Sequence, residues 1–132
     1  MKLYLDSSAI VKLVQREAES ASLRRYLRRQ GGSPRVTSAL ARVEVVRAFV
    51  IAGPAAVAQA RRELDRMYQI TLDQDVLDRA ATLTPQVRLR SLDAIHLASA
   101  QLLGADLQAV VTYDQRMTDA ATALGMVVSA PD

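Results

Sequence analysis

Short apolar runs, each handing over to a helix-patterned stretch, constrain this chain most. Lys2 to Asp6, Val36-Thr37-Ser38, Ile70-Thr71-Leu72, Ala109 to Thr112 and Met126 to Ser129 read as strands, and apolar residues at helical spacing fill the intervals. Strands that alternate with helices predict a parallel sheet covered on both faces, because parallel neighbours need a long crossover. Local signals bound the helices. Ser7 or Ser8, Ser38 and Ser91 are expected caps, and Gly53-Pro54 ends one helix and starts the next. Val45, Ala48, Phe49 and Ala52 share one helical face. Asp75 to Leu83 is helical, Pro85 to Arg90 a loop, Ser91 to Leu103 a helix, and Gln115 to Leu124 the last helix.

The chain has 132 residues, enough for one core and too few for two, so residues 1–132 are expected to form a single domain. No cysteine is present, which removes disulfides, thiolate chemistry and Cys-ligated zinc. Asp6 interrupts the N-terminus before a signal core can develop, and the longest apolar stretch, broken by Gly53-Pro54, is far shorter than a bilayer span. These features lead to the expectation of a soluble, cytoplasmic protein.

Four acids fall where a strand gives way to a helix, or in an early turn of the helix that follows. They are Asp6, Glu44, Asp93 and Asp114. Each has a local explanation as a cap, a first-turn acid or half of an ion pair. Their shared placement points further, since the ligand site of an open parallel sheet lies beyond the carboxyl ends of its strands. Carboxylates gathered there repel by about 4 kcal/mol per pair at about 4 Å and an effective dielectric near 20. Protonation or a divalent ion must relieve that repulsion. An all-oxygen donor set suits Mg²⁺, with Mn²⁺ as a possible substitute, whereas His or Cys would select other metals. Fifteen arginines and two lysines against fourteen acidic residues give a net charge of +3, and a basic surface around an acidic centre suits a polyanionic substrate.

The segments Leu5-Asp6-Ser7-Ser8-Ala9, Arg42-Val43-Glu44, Leu92-Asp93-Ala94-Ile95-His96-Leu97-Ala98 and Val111-Thr112-Tyr113-Asp114 resemble the PIN domain, above all the VapC-type ribonuclease toxins of bacterial toxin–antitoxin pairs. The resemblance spans nearly the whole chain, and Leu92 to Ala98 is its most specific piece. It implies a Rossmann-like three-layer α/β/α sandwich with a central parallel sheet, and a Mg²⁺- or Mn²⁺-dependent endoribonuclease. In that scheme Asp6, Asp93 and Asp114 hold the metal directly or through water, with Glu44 as a ligand or water-orienting group. The resemblance also implies a homodimer and a VapB-type antitoxin whose C-terminal segment covers the acidic groove.

Other residues take supporting parts. Ser8 and Thr112 are placed to hydrogen-bond the carboxylates, and Arg42, Arg47, Arg90 and Arg116 to steer RNA. His96, the sole histidine, lacks ligand spacing and is expected to pack in the core or orient its helix. Rival sites fail on their motifs. Ser8 stands where a haloacid-dehalogenase phosphatase needs its second Asp, and Ile10 where a metal-dependent adhesion module needs Ser. No lysine follows Lys12, as a receiver domain would require, and no Walker A or dinucleotide loop is present. A PIN-like module that binds RNA or protein without cutting is the remaining alternative.

Overall fold

The computed structural model describes residues 1–83, 86 and 88–132. The strands are β1 (Lys2–Leu5), β2 (Arg35–Ser38), β3 (Tyr68–Ile70), β4 (Leu107–Val111) and β5 (Val128–Ser129). The helices are α1 (Ser7–Val14), α2 (Ser20–Arg29), α3 (Ala41–Phe49), α4 (Pro54–Asp65), α5 (Gln74–Ala81), α6 (Ser91–Gln101) and α7 (Gln115–Ala123). One sheet runs β3-β2-β1-β4-β5, every pair parallel. The three-layer α/β/α architecture anticipated from the alternation is therefore present.

Strand alternation divides the core. Leu3 and Leu5 of β1, with Ala109 and Val111 of β4, pack under α1 to α4 against Ile10, Leu13, Leu23, Val45 and Leu64. Tyr4 and Val110 point the other way with Val36 and Ala100. On that side α5 meets α6 through Val76, Ala80, Ala94 and Ala98, and α6 meets α7 through Leu97, Met117 and Ala120. Period-two side-chain alternation requires this split once both faces of a strand are covered. The chain steps outward from β1 to β2 and β3, then crosses back so that β4 lies on the other side of β1. The β1/β4 seam is thus the point where strand order reverses, and ligand crevices open at such points.

Several boundaries differ from the sequence expectation. Asp6, not Ser7 or Ser8, caps α1, and Arg90 rather than Ser91 occupies the cap position of α6 without a side-chain bond. A strand-ending carboxylate is already aimed at the first free amides, so the serines that follow fall inside the first turn. Ser38 is not the cap of α3 either: Leu40 holds that position with no side-chain bond, and Ser38 accepts from its amide at 3.1 Å. On α3 the buried face is Ala41, Val45 and Phe49, with Ala48 and Ala52 exposed. The third strand begins two residues earlier than expected, at Tyr68. Helix α6 ends at Gln101, before a 3₁₀ turn over Gly104–Asp106. Of the expected loop from Pro85 to Arg90, Pro85 and Val87 lie outside the described residues.

Core substitutions should reflect this layering. Leu97→Ala, at a position with no exposure, is expected to lower unfolding free energy by about 2–5 kcal/mol in urea titrations. Leu102→Ala, about half exposed, should change it by about 0.5 kcal/mol or less.

Candidate active site

The carboxyl edge of the sheet collects the four acids, two of them as helix caps and two held by side chains. Asp6 follows β1 and is 3 % exposed. Its Oδ1 accepts from Ser8 Oγ at 2.6 Å and from the Ala9 amide at 3.1 Å. Its Oδ2 accepts from Thr112 Oγ1 at the end of β4. Thr112 Oγ1 in turn accepts from the Asp114 amide at 3.1 Å, so one hydroxyl ties the two strand ends together. Burial raises the Asp6 pKa above its ordinary range, against the opposing pull of the Ser8 and Thr112 hydrogen bonds.

Asp114 follows β4 and caps α7, accepting from the Arg116 amide at 2.8 Å. Asp93 lies in the first turn of α6 and is 7 % exposed. The Arg90 guanidinium reaches both, with Nε 3.1 Å from Asp93 Oδ2 and an Nη nitrogen 3.5 Å from Asp114 Oδ2. One cationic group thus serves two of the acids. The local roles expected of Asp6 and Asp114 as caps are real, and they coexist with convergence at one edge.

Glu44, in the first turn of α3, is half-buried. Its Oε1 receives His96 Nε2 at 2.6 Å and Ser7 Oγ at 2.7 Å. Burial works to raise its pKa, but the His96 and Ser7 hydrogen bonds, aided by the Arg90 charge, leave it below the ordinary value. His96 Nδ1 meets the hydroxyl of Tyr4 at 2.7 Å, with the two rings edge to face. Burial, reinforced by the nearby Asp6 charge, pushes the Tyr4 phenol pKa well above its ordinary value. His96 is buried as expected, but its bonds run to side chains of the site. Sequence reading missed this role, and the only available signal was its i+3 spacing from Asp93 on one helix face.

The arginines divide. Arg90 and Arg116, together with Arg88, line a cleft of about 320 Å³ beside the acids. Arg42 instead pairs with Asp65 at 3.1 Å, and Arg47 is exposed at the far end of α3. Among the described residues no three Asp, Glu, His or Cys side chains converge on a single ion position. The donor chemistry nevertheless fits a hard divalent cation. All four groups are carboxylates, and Asp93 and Asp114 already share one positive charge.

The PIN domain family model matches residues 3–123. The chain belongs to the PIN-domain family. Among its relatives is ribonuclease VapC46 of Mycobacterium tuberculosis, 57 % identical over 129 residues and covering 98 % of this chain and 97 % of that one. Ribonuclease VapC35 of the same organism is 42 % identical over 131 residues, covering 98 % and 96 %. Two solved structures share the PIN fold at low identity. A toxin–antitoxin complex from Klebsiella pneumoniae has a TM-score of 0.74 at 21 % identity, covering 100 % of this chain and 98 % of that one. Mycobacterium tuberculosis VapC20, described as a sarcin–ricin loop cleaving toxin, has a TM-score of 0.75 at 19 % identity, covering 98 % and 100 %. No described helix of this PIN domain is long and apolar enough to cross a membrane.

The raised pKa of Asp6 carries a sign for stability. A carboxyl raised from 3.8 in the fold favours folding below 3.8, and that contribution is lost as pH rises through the folded-state pKa. Without metal, Asp6→Asn should therefore melt higher than wild type at neutral pH. The gap should close as pH falls toward the ordinary carboxyl range, as followed by thermal melts across pH in EDTA.

Proposed function

We propose that this PIN domain is a Mg²⁺- or Mn²⁺-dependent endoribonuclease, the toxin of a VapBC-type pair. The observation that carries the reading is the pair Asp93 and Asp114, drawn from α6 and from the end of β4 onto one cationic group. Asp6 lies at the adjoining strand end, linked to Asp114 through Thr112. Kinship to proteins named ribonuclease VapC, at 57 % and 42 % identity over nearly the full chain, supports RNA as the substrate.

In this reading Asp93 and Asp114 hold the metal, with Asp6 and Glu44 acting directly or through water. A bound divalent ion supplies a Lewis acid for the phosphodiester and lowers the pKa of a coordinated water. The chain's own residues do the rest. Ser8, Thr112 and the Ala9 amide hold Asp6 in place. Glu44 accepts a hydrogen bond from the attacking water and orients it. Arg88, Arg90 and Arg116 draw the phosphate backbone along their cleft. Arg90 has a second effect, since its guanidinium competes with the metal for Asp93 and Asp114. No thiol or serine nucleophile enters the scheme.

An antitoxin and a second copy of the chain are the partners of this reading. Val43, on α3, and Val50 and Ile51, just beyond it, are exposed apolar residues, and they offer such a partner a surface along and past α3. Placement in the cytoplasm follows from an RNA target and is part of the same proposal.

Incubation with structured RNA should give cleavage with Mg²⁺ or Mn²⁺ and none with EDTA. Asp93→Asn should lower the rate by on the order of 10²–10³, the scale of removing one group that stabilises developing charge. RNA binding without cleavage under every divalent metal would instead identify a non-catalytic binding module. In calorimetric titrations Arg90→Ala should bind Mg²⁺ more tightly than wild type, while Asp93→Asn binds it more weakly. In thermal melts Mg²⁺ should raise the wild-type melting temperature, and Asp93→Asn should reduce that shift.

A further inference from the structure

Three of the four acids are held by the start of their own helices, and Glu44 is not. Asp6 and Asp114 cap α1 and α7, and Asp93 is paired to Arg90 one turn away. Glu44 instead projects from α3, whose start has no side-chain cap. Its carboxylate is held from outside α3, by Ser7 of α1 and His96 of α6, both on Oε1. Among the described residues no hydrogen-bond donor engages Oε2.

The protons can be assigned from chemistry. An ionised carboxylate only accepts, so His96 Nε2, 2.6 Å from Glu44 Oε1, carries a hydrogen. The Tyr4 hydroxyl, 2.7 Å from Nδ1, is a phenol that keeps its proton at neutral pH and donates to the remaining ring nitrogen. Tyr4 lies on the central strand with no exposure, and His96 is 3 % exposed. A neutral imidazole has one donor and one acceptor nitrogen, so it can bridge a hydroxyl donor to a carboxylate acceptor. Here both nitrogens are committed to side chains, and the chain of bonds ends on a carboxylate of the site.

We propose that His96 is the positioning residue for Glu44. It is fixed by Tyr4 in the Nε2–H form, and it holds one carboxylate oxygen so that the other faces the acidic cleft. Helix α6 then sets two acids at once, Asp93 directly and Glu44 through His96 three residues later. The catalytic consequence rests on the nuclease reading, whereas the orientation itself does not.

His96 is the only histidine, so two-bond proton–nitrogen NMR on the metal-free, full-length protein reads its tautomer without assignment. The expected spectrum at neutral pH is a single Nε2–H tautomer, giving way to a mixture of tautomers when Tyr4→Phe and Glu44→Ala together remove both partners. A wild-type spectrum of Nδ1–H or imidazolium overturns the arrangement even in an active enzyme. In cleavage assays His96→Ala should lower kcat by about 10–100-fold, the cost of losing a residue that orients a ligand, with KM for RNA within about 2-fold. His96→Gln, whose side-chain amide can donate to Glu44, should recover most of kcat. In a Glu44→Gln background, His96→Ala should cost about 2-fold or less. A His96→Ala protein that melts lower yet keeps full kcat per folded molecule assigns His96 to the core and overturns the proposal. Absence of cleavage by wild type overturns the nuclease reading, and the tautomer still decides the orientation.

Discussion

Asp6 sits at the seam between β1 and β4, and a carboxylate buried there must be met by donors from both strand ends. Ser8 and the Ala9 amide supply one oxygen, and Thr112 supplies the other. The same Thr112 oxygen receives the Asp114 amide. The two central strands are thereby joined by polar bonds at the edge where backbone pairing ends, and Asp114 is set beside Asp6. Buried polar groups are costly unless satisfied, so this bonding holds the local geometry firmly. Loss of either hydroxyl would leave an acid under-satisfied and loosen the register of the site.

Charge is the second constraint. Carboxylates at one edge repel, and the chain's own residues answer in three ways. Asp6 is pushed toward protonation by burial, Asp93 and Asp114 share Arg90, and Glu44 is stabilised by His96 and Ser7. These are weak answers where they are exposed. Arg90 is largely solvent-accessible, so its pairing is screened and readily exchanged for a stronger cation. A doubly charged cation placed at that edge would relieve more repulsion than a guanidinium does.

Much of the fold, and the placement of the four acids at one edge of the sheet, is legible in the sequence. The strand–helix alternation led to a parallel sheet with helices on both sides, and the four acids do lie at its carboxyl edge. Ser8 and Thr112 were expected to bond the carboxylates, and both bond Asp6. The arginines were less legible. Arg42 lies two residues from Glu44 but turns to Asp65, because successive side chains on a helix point in different directions. Arg88 went unnoticed, yet it lines the cleft with Arg90 and Arg116. Helix starts were misread at Ser7 or Ser8 and Ser91, where the preceding residue holds the cap position.

The order of residue types along the chain determined the class of fold, the edge on which the acids gather, and the all-oxygen character of their donor atoms. Those properties follow from local periodicity and from the chemistry of each side chain taken singly. Tertiary structure alone decided the pairings. Tyr4 with His96, His96 with Glu44 and Asp6 with Thr112 join residues 92, 52 and 106 positions apart, separations over which no sequence period carries information. The assignment of His96 therefore changed from a core residue to the partner of an acid only when β1, α3 and α6 were packed together.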